Sequence, residues 1–300
     1  MKIGAMIGAD GTRSTIDDII GIAKGAEDAG LDNVWLANIF SFDAISTLGF
    51  IGRETSKIGL GTAVTPTYPR HPTAIAQQAM TTAAASNNRF TLGIGLSHKI
   101  VIEDMLGMSY DKPAKHMREY LSVLMPLVKG EQVNFDGEQY RVHGLALDIP
   151  GAERVPVVVA ALGPTMLKLA ATMADGTNTW MVGPNTMENH IIASLKEAGN
   201  PDPTVVAGMP IVLTTNIDEA KAKIAETLTI YGQLPSYRAM LDREGAAGPA
   251  DIAIVGDENT LRGEIKRFED MGVTDFNAAI MDVEDGAYAR TLEFLGSIRG

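Results

Sequence analysis

Short apolar runs rich in Val, Ile, Ala and Gly alternate with amphipathic segments from one end of this chain to the other. Lys2-Ile3-Gly4-Ala5-Met6-Ile7 reads as a first strand. Ser14 or Thr15 then caps a helix with Ile16, Ile19, Ile20 and Ala23 on one face, and Gly30 ends it. Further strands are expected at 33–37, 57–62 and 90–95, from 157, and at 177–181, 205–213 and 275–280. Helices are expected from Asp43 to about Glu54, Pro72 to Ala85, Pro113 to Val128, Pro184 to Ala198, Asp218 to Tyr231 and Glu258 to Met271. A last helix closes the chain, and the stretch from Leu234 to Ala250 is expected to include a mobile loop. Eight strands that each feed a helix specify an α/β fold, a (β/α)8 TIM barrel, whose working face is formed by the C-terminal ends of the strands. The chain is read as a single barrel domain over residues 1–300.

One segment breaks the rhythm. Val133 to Val142 is two alternating runs about Asp136-Gly137, a hairpin signal. It is read as a small β-hairpin insertion, about 131–142, between strands four and five. An internal echo supports the strand count: Glu27-Asp28-Ala29-Gly30 enters strand two as Glu269-Asp270-Met271-Gly272 enters strand eight. An open doubly wound sheet would carry a Gly-rich fingerprint after its first strand, and Gly8-Ala9-Asp10-Gly11 is not one.

Apolar residues make up 45% of the 300 and charged ones 21%, the balance of a chain with a large core. Zero Cys excludes disulfides and thiolate chemistry and is compatible with a reducing, cytoplasmic setting. The first apolar run is too short for a signal-peptide core, and no apolar stretch reaches the length of a membrane span. A net charge of −12 without a Lys/Arg cluster argues against nucleic acid and against an anionic membrane surface.

The strand ends give the candidate site. Asn38 follows strand two; Ala63, Val64, Thr65, Tyr68, Arg70 and His71 follow strand three; Ser97 and His98 follow strand four. Leu162, Gly163 and Pro164 follow strand five, and Trp180 ends strand six. The set has no paired carboxylates for acid/base hydrolysis, and the five His lack metal-ligand spacing, so no protein-bound metal is expected. A mostly apolar cavity with few polar groups suits a planar cofactor and a small-molecule substrate. In Val157-Val158-Val159-Ala160-Ala161-Leu162-Gly163-Pro164, a buried strand runs into a helix whose first N–H groups make an anion site, or the turn is only a turn. His98 is a candidate proton donor, Trp180 a candidate cavity wall, and His71 a candidate helix cap. Arg70 meets either a phosphate or a nearby carboxylate.

Tyr68-Pro69-Arg70-His71-Pro72, Asn88-Arg89-Phe90-Thr91-Leu92-Gly93-Ile94-Gly95, Leu162 to Thr177 and Trp180-Met181 with Gly183-Pro184 together resemble the luciferase-like flavin-barrel superfamily. They look most like its branch that uses the deazaflavin coenzyme F-420. The resemblance covers nearly the whole chain. It implies a non-prolyl cis peptide at Ala63-Val64, bulging against the middle ring of the cofactor, and places the cofactor phosphate at Leu162 and Gly163. It also implies that Asn38 and His98 meet ring or substrate; relatives often form a homodimer, and for this chain the oligomeric state is left open. The anionic tail of F-420 would want cations outside the mouth, for which Arg70, Lys99, Lys115 and Arg118 are candidates.

One departure matters. The sugar-phosphate dehydrogenases of this branch carry Ser-Asp-His-Phe after strand two, with His as the base. Here the run is Ala37-Asn38-Ile39-Phe40, and Ile39 cannot take a proton from an alcohol. The expectation is therefore an F-420-dependent oxidoreductase that reduces an activated double bond in a small apolar substrate, with the proton from His98, Tyr68 or water. The alternatives are an FMN-dependent luciferase-like monooxygenase and a non-catalytic flavin-binding protein.

Overall fold

The computed structural model describes residues 1–8 and 14–298, so the Ala9-Asp10-Gly11 part of the first turn lies outside the described residues. Eight strands form the barrel: β1 (Lys2–Ile7), β2 (Asn33–Leu36), β3 (Gly59–Thr62), β4 (Phe90–Gly95), β5 (Val157–Ala160), β6 (Gly176–Trp180), β7 (Thr204–Leu213) and β8 (Asp275–Ile280). Each pairs in parallel with the next, and β8 pairs with β1 in the register Lys2 to Asp275, so the sheet closes. Closure of eight parallel strands is the barrel that the strand-and-helix alternation specifies. Two short strands extend it. Thr65–Pro66 continues β3 beside β4, and Ile254–Gly256 lies beside the end of β7.

Alternation along the strands sorts side chains into two cores. Val157 and Val159 of β5, and Val205 and Ala207 of β7, pack outward with the helices. Val158 and Val206 belong instead to an interior cluster with Trp35 and Ala63. That split is the period-2 geometry of a strand buried on both faces.

Helix ends follow local chemistry. Thr15 and Asp18 form a reciprocal capping box at the start of α1 (Ile16–Asp28). Asp43 caps α2 (Ala44–Glu54), and His71 caps α3 (Pro72–Ala85) through its Nδ1. Gly30 and Gly272 both sit at positive φ, and in each case the next residue donates back to the helix, Leu31 to Ala26 and Val273 to Phe268. The echo in the sequence is thus one C-cap geometry used twice.

Several motif residues tie down the N-terminal end of the barrel. The Arg89 guanidinium donates to the carbonyls of Ser86, Gly52 and Thr55. Asn88 holds Gly151 and Glu153, and the Asp175 carboxylate accepts the Val157 N–H at 2.7 Å. These groups satisfy backbone that the loops leave unpaired, which is a stabilising task at the face opposite the site.

Three expectations change. The hairpin consists of Val133–Asp136 and Arg141–Leu145, joined by residues 137–140 rather than by a two-residue Asp-Gly turn. The Gly137 N–H donates to the Tyr140 carbonyl, and the loop lengthens because Glu119 binds its backbone. The segment from Pro184 is interrupted by a π-helical turn, Met187–Ile192. Leu234 to Ala250, expected to include a mobile loop, is largely the helix Pro235–Glu244, preceded by Thr229–Gln233, with a non-helical stretch at 245–248. Its Pro start and the positive-φ Gly245 end are ordinary helix signals, and burial of Met240 and Leu241 in the core supplies what its weak periodicity lacks. Among the described residues, no helix is long and apolar enough to cross a membrane.

Candidate functional site

The C-terminal end of β3 shapes the floor of the site. The Ala63–Val64 peptide bond is cis. Ala63 packs into the interior cluster, and the Val64 side chain lies over β4 where a Cβ at Gly95 would come within 2.7 Å of it. Glycine at that position is what lets the bulge approach β4 so closely. Thr65 and Tyr68 follow, both buried, and neither the Thr65 Oγ1 nor the Tyr68 hydroxyl has a protein partner. An orphaned buried polar atom costs about 1–3 kcal/mol, so two at one strand end call for an explanation.

Aromatic rings wall the site. The Tyr68 ring stacks on His116 with centroids 4.0 Å apart and on Tyr110 at 5.3 Å. Burial raises the pKa of the Tyr68 hydroxyl well above the usual tyrosine value, so it stays protonated. Across the mouth, Trp180 meets Tyr231 edge-on, Tyr231 meets Tyr237, and Tyr237 lies 5.8 Å from His98. The helices Thr229–Gln233 and Pro235–Glu244 therefore roof the barrel between β6 and the end of β4. The Trp180 Nε1, at the end of β6, is another buried donor without a protein partner. Burial lowers the pKa of His98, which favours its neutral form. Ser97 beside it takes a positive φ of 61° and accepts from the Tyr110 hydroxyl through its carbonyl.

The turn after β5 is open to an anion. Gly163 caps α5 (Pro164–Met173) at φ −87° with no side-chain hydrogen bond, and nothing lies within 4 Å of where its Cβ would be. Leu162 is half-buried beside it. The helix beginning at Pro184 differs, because the Glu244 carboxylate already accepts from the N–H groups of Asn185 and Thr186. A groove of about 620 Å³ at the ends of β7 and β8, the more usual barrel phosphate site, is lined by Asp257, Glu258, Glu284 and Asp285 with Arg290. Those carboxylates would repel a phosphate, whereas no carboxylate caps the α5 terminus.

The remaining sequence candidates divide. The Asn38 Oδ1 accepts from the Ala44 N–H, so half of this amide fastens the loop to α2. Arg70 is paired with Asp43 at 2.6 Å, which decides for the carboxylate over the phosphate. Burial opposes the charge on Asp43, but the Ser46 N–H and the guanidinium outweigh it and hold its pKa below the usual carboxylate value. Lys99 and Lys115 are also ion-paired, with Glu103 and Glu138, so three of the four candidate tail cations are engaged. Ile39 and Phe40 after β2, and Ile100 and Met105 after β4, stand exposed as apolar groups on these loops. His116, Gln139, His190, Tyr231 and Tyr237 were missed by sequence reasoning. His116 and His190 lie inside helices, with no motif signal to mark them.

A family model for luciferase-like monooxygenases matches residues 1–275. The chain belongs to the luciferase-like monooxygenase family. This luciferase-like chain is 31% identical over 240 residues to a 5,10-methylenetetrahydromethanopterin reductase of Archaeoglobus fulgidus, covering 77% of this chain and 70% of that protein. It is 27% identical over 264 residues to an F420-dependent glucose-6-phosphate dehydrogenase of Kineococcus radiotolerans, covering 82% and 77%. The solved coenzyme F420-dependent tetrahydromethanopterin reductase of Methanopyrus kandleri has the same fold, with TM-score 0.81, 22% identity and coverage of 98% and 97%.

Proposed function

We propose that this protein is an F-420-dependent oxidoreductase that reduces an activated double bond, such as an enone or imine, in a small apolar substrate. The observation that carries the reading is the set of three buried polar atoms without protein partners, Thr65 Oγ1, Tyr68 Oη and Trp180 Nε1, at the C-terminal end of one barrel. A planar ring edged with carbonyl and N–H groups fits such a set, and the uncapped α5 terminus at Gly163 fits its phosphate. Relatives named for the same coenzyme support the choice of deazaflavin.

When bound, F-420 supplies a hydride from C5 of its ring. Val64, on the cis bulge, would support the ring, and the backbone of Leu162 and Gly163 would hold the phosphate. Tyr231 and Tyr237 exclude water from above. His98, at the end of β4 under that roof, would in its protonated form deliver the proton that must follow a hydride to carbon. Ile39 stands where an alcohol-oxidising enzyme of this branch carries its base, and it cannot accept a proton. Among the residues lining the acidic β7–β8 groove, Arg290 is the one cation, and it is held by Glu284. Together with the apolar loops after β2 and β4, this favours an uncharged, apolar substrate over a phosphorylated one.

The test is a parallel titration with F-420 and FMN. F-420 fluorescence is expected to be quenched with a Kd in the low micromolar range, about −8 kcal/mol. Tight FMN binding without F-420 binding would replace this reading with that of a flavin monooxygenase. Cyclohexenone offered with reduced F-420 is expected to turn over, and efficient oxidation of glucose 6-phosphate would overturn the double-bond reading alone.

A further inference from the structure

The hairpin insertion reaches the aromatic wall of the barrel mouth. Its loop is fixed to α4 (Pro113–Leu127) by the buried Glu119 carboxylate, which accepts from the N–H groups of Glu138, Gln139 and Tyr140 at 3.2, 2.8 and 3.3 Å. Burial works against this carboxylate, but the three donors and Lys115 outweigh it and hold its pKa below the usual value. So anchored, the loop brings the Gln139 Oε1 to 3.1 Å from the His116 Nδ1, with the Tyr140 hydroxyl 3.4 Å from the same nitrogen. On the other side of the ring, the His116 Nε2 lies 2.9 Å from the Thr67 Oγ1.

These partners specify one state of the imidazole. An amide oxygen can only accept, so Nδ1 carries the hydrogen and Nε2 accepts from the Thr67 hydroxyl. Burial lowers the His116 pKa and keeps the ring neutral. Its plane is thereby fixed at both ends, and the Tyr68 ring lies against it, 5° from parallel. The Thr67 N–H also donates to the Gly95 carbonyl at 2.9 Å, which fixes the backbone one residue before Tyr68.

We propose that Gln139 is a positioning residue: through the tautomer of His116 it sets the plane of Tyr68 and aims the Tyr68 hydroxyl into the space where cofactor ring and substrate meet. The insertion is then part of the site, although it lies outside the barrel. The destination of the hydroxyl rests on the F-420 reading, whereas the Gln139–His116–Tyr68 coupling does not.

The experiment is NMR on the whole protein with labelled His and Tyr, before and after addition of F-420. In the wild type, the His116 15N shifts are expected to show hydrogen on Nδ1, and the Tyr68 Cζ signal to move when F-420 is added. Gln139→Leu keeps the size of the side chain but removes the acceptor. It is expected to shift His116 towards the Nε2–H form and to change the Tyr68 signal before any ligand is added. Gln139→Glu, which keeps an acceptor oxygen, is expected to restore both. A wild-type His116 in the Nε2–H form, or a Tyr68 signal indifferent to Gln139→Leu, would overturn the coupling. A Tyr68 signal that ignores F-420 in a sample whose fluorescence is quenched would overturn the aim of the hydroxyl. Absence of quenching would sink the F-420 reading and the hydroxyl's destination, while the tautomer result would still decide the coupling.

Discussion

The His190 Nε2 lies 2.7 Å from the carbonyl oxygen of Leu162, so a π-helical turn after β6 holds the residue that precedes the Gly163 turn after β5. The ring nitrogen donates and the carbonyl accepts. A π-turn displaces the following side chains relative to an α-helix, and π-turns are frequent at functional sites. His190→Ala is expected to weaken F-420 binding about three- to tenfold, the scale of one hydrogen bond, without changing turnover at saturating cofactor. A fluorescence titration measures this, and an unchanged Kd would show that the turn holds its shape alone.

Gly163→Asp separates the anion role of the turn from its structural one. The backbone there is at φ −87° and no atom lies within 4 Å of a Cβ, so the fold has no need of glycine. The thermal midpoint is expected to stay close to wild type while cofactor affinity falls by about tenfold or more, because a carboxylate then faces a phosphate. Full affinity in the folded variant would remove Gly163 from the site.

His98→Ala is expected to lower turnover of cyclohexenone about a hundredfold, the usual scale for a lost general acid, with little change in F-420 affinity. Burial lowers the His98 pKa from its ordinary 6.5, so the protonated form grows only as the pH falls below that value. Turnover in the wild type is therefore expected to fall as pH rises through that range, and the variant to lose this slope. A variant with full turnover would assign the proton to Tyr68 or solvent.

Stability is expected to fall on acidification, starting below about pH 6.5. Burial lowers the pKa of both His98 and His116, so the unfolded chain binds their protons more readily than the native state. Below 4.5 a second loss follows from Glu119, whose native pKa is held down by backbone donors that act against burial. Urea midpoints at pH 7.5 and 5.5 measure the first step, and His116→Gln is expected to reduce the difference. Equal midpoints in the wild type would contradict it.

The roof is fastened at Gly183. A Cβ there would come within 2.4 Å of the Glu244 carboxyl group, which caps the helix beginning at Pro184. Gly183→Ala is expected to displace that carboxylate at a cost of about 1 kcal/mol, typical of a lost N-cap. Limited proteolysis is expected to cut first in Pro235–Glu244, and cleavage elsewhere at an unchanged rate would show that the roof is held by Met240 and Leu241 alone.

Much of the barrel is legible in the sequence because its signals are local. β1, β4 and β8 fall where their apolar runs begin and end, and the helix Glu258–Met271 is bounded by its own cap and its Gly272. The resemblance motifs are legible too, but they mix two tasks. Asn88, Arg89 and Asp175 tie backbone at the N-terminal end, whereas Thr65, Tyr68 and Gly163 lie at the C-terminal end. No composition rule separates the two sets, since both consist of polar or small residues beside strands.

What the sequence by itself determined is the order of elements, the capped helix ends and the strand ends where a site could lie, all of which depend on contacts within a few residues. Only the tertiary structure decided which side chains converge there. Gln139 reaches His116 across 23 residues, His190 reaches Leu162 across 28, and Tyr237 reaches His98 from the far side of the barrel. Such meetings depend on barrel closure and on loops anchored by single carboxylates such as Glu119 and Glu244. Neither leaves a periodic mark in the chain, because one long-range contact constrains one residue rather than a pattern.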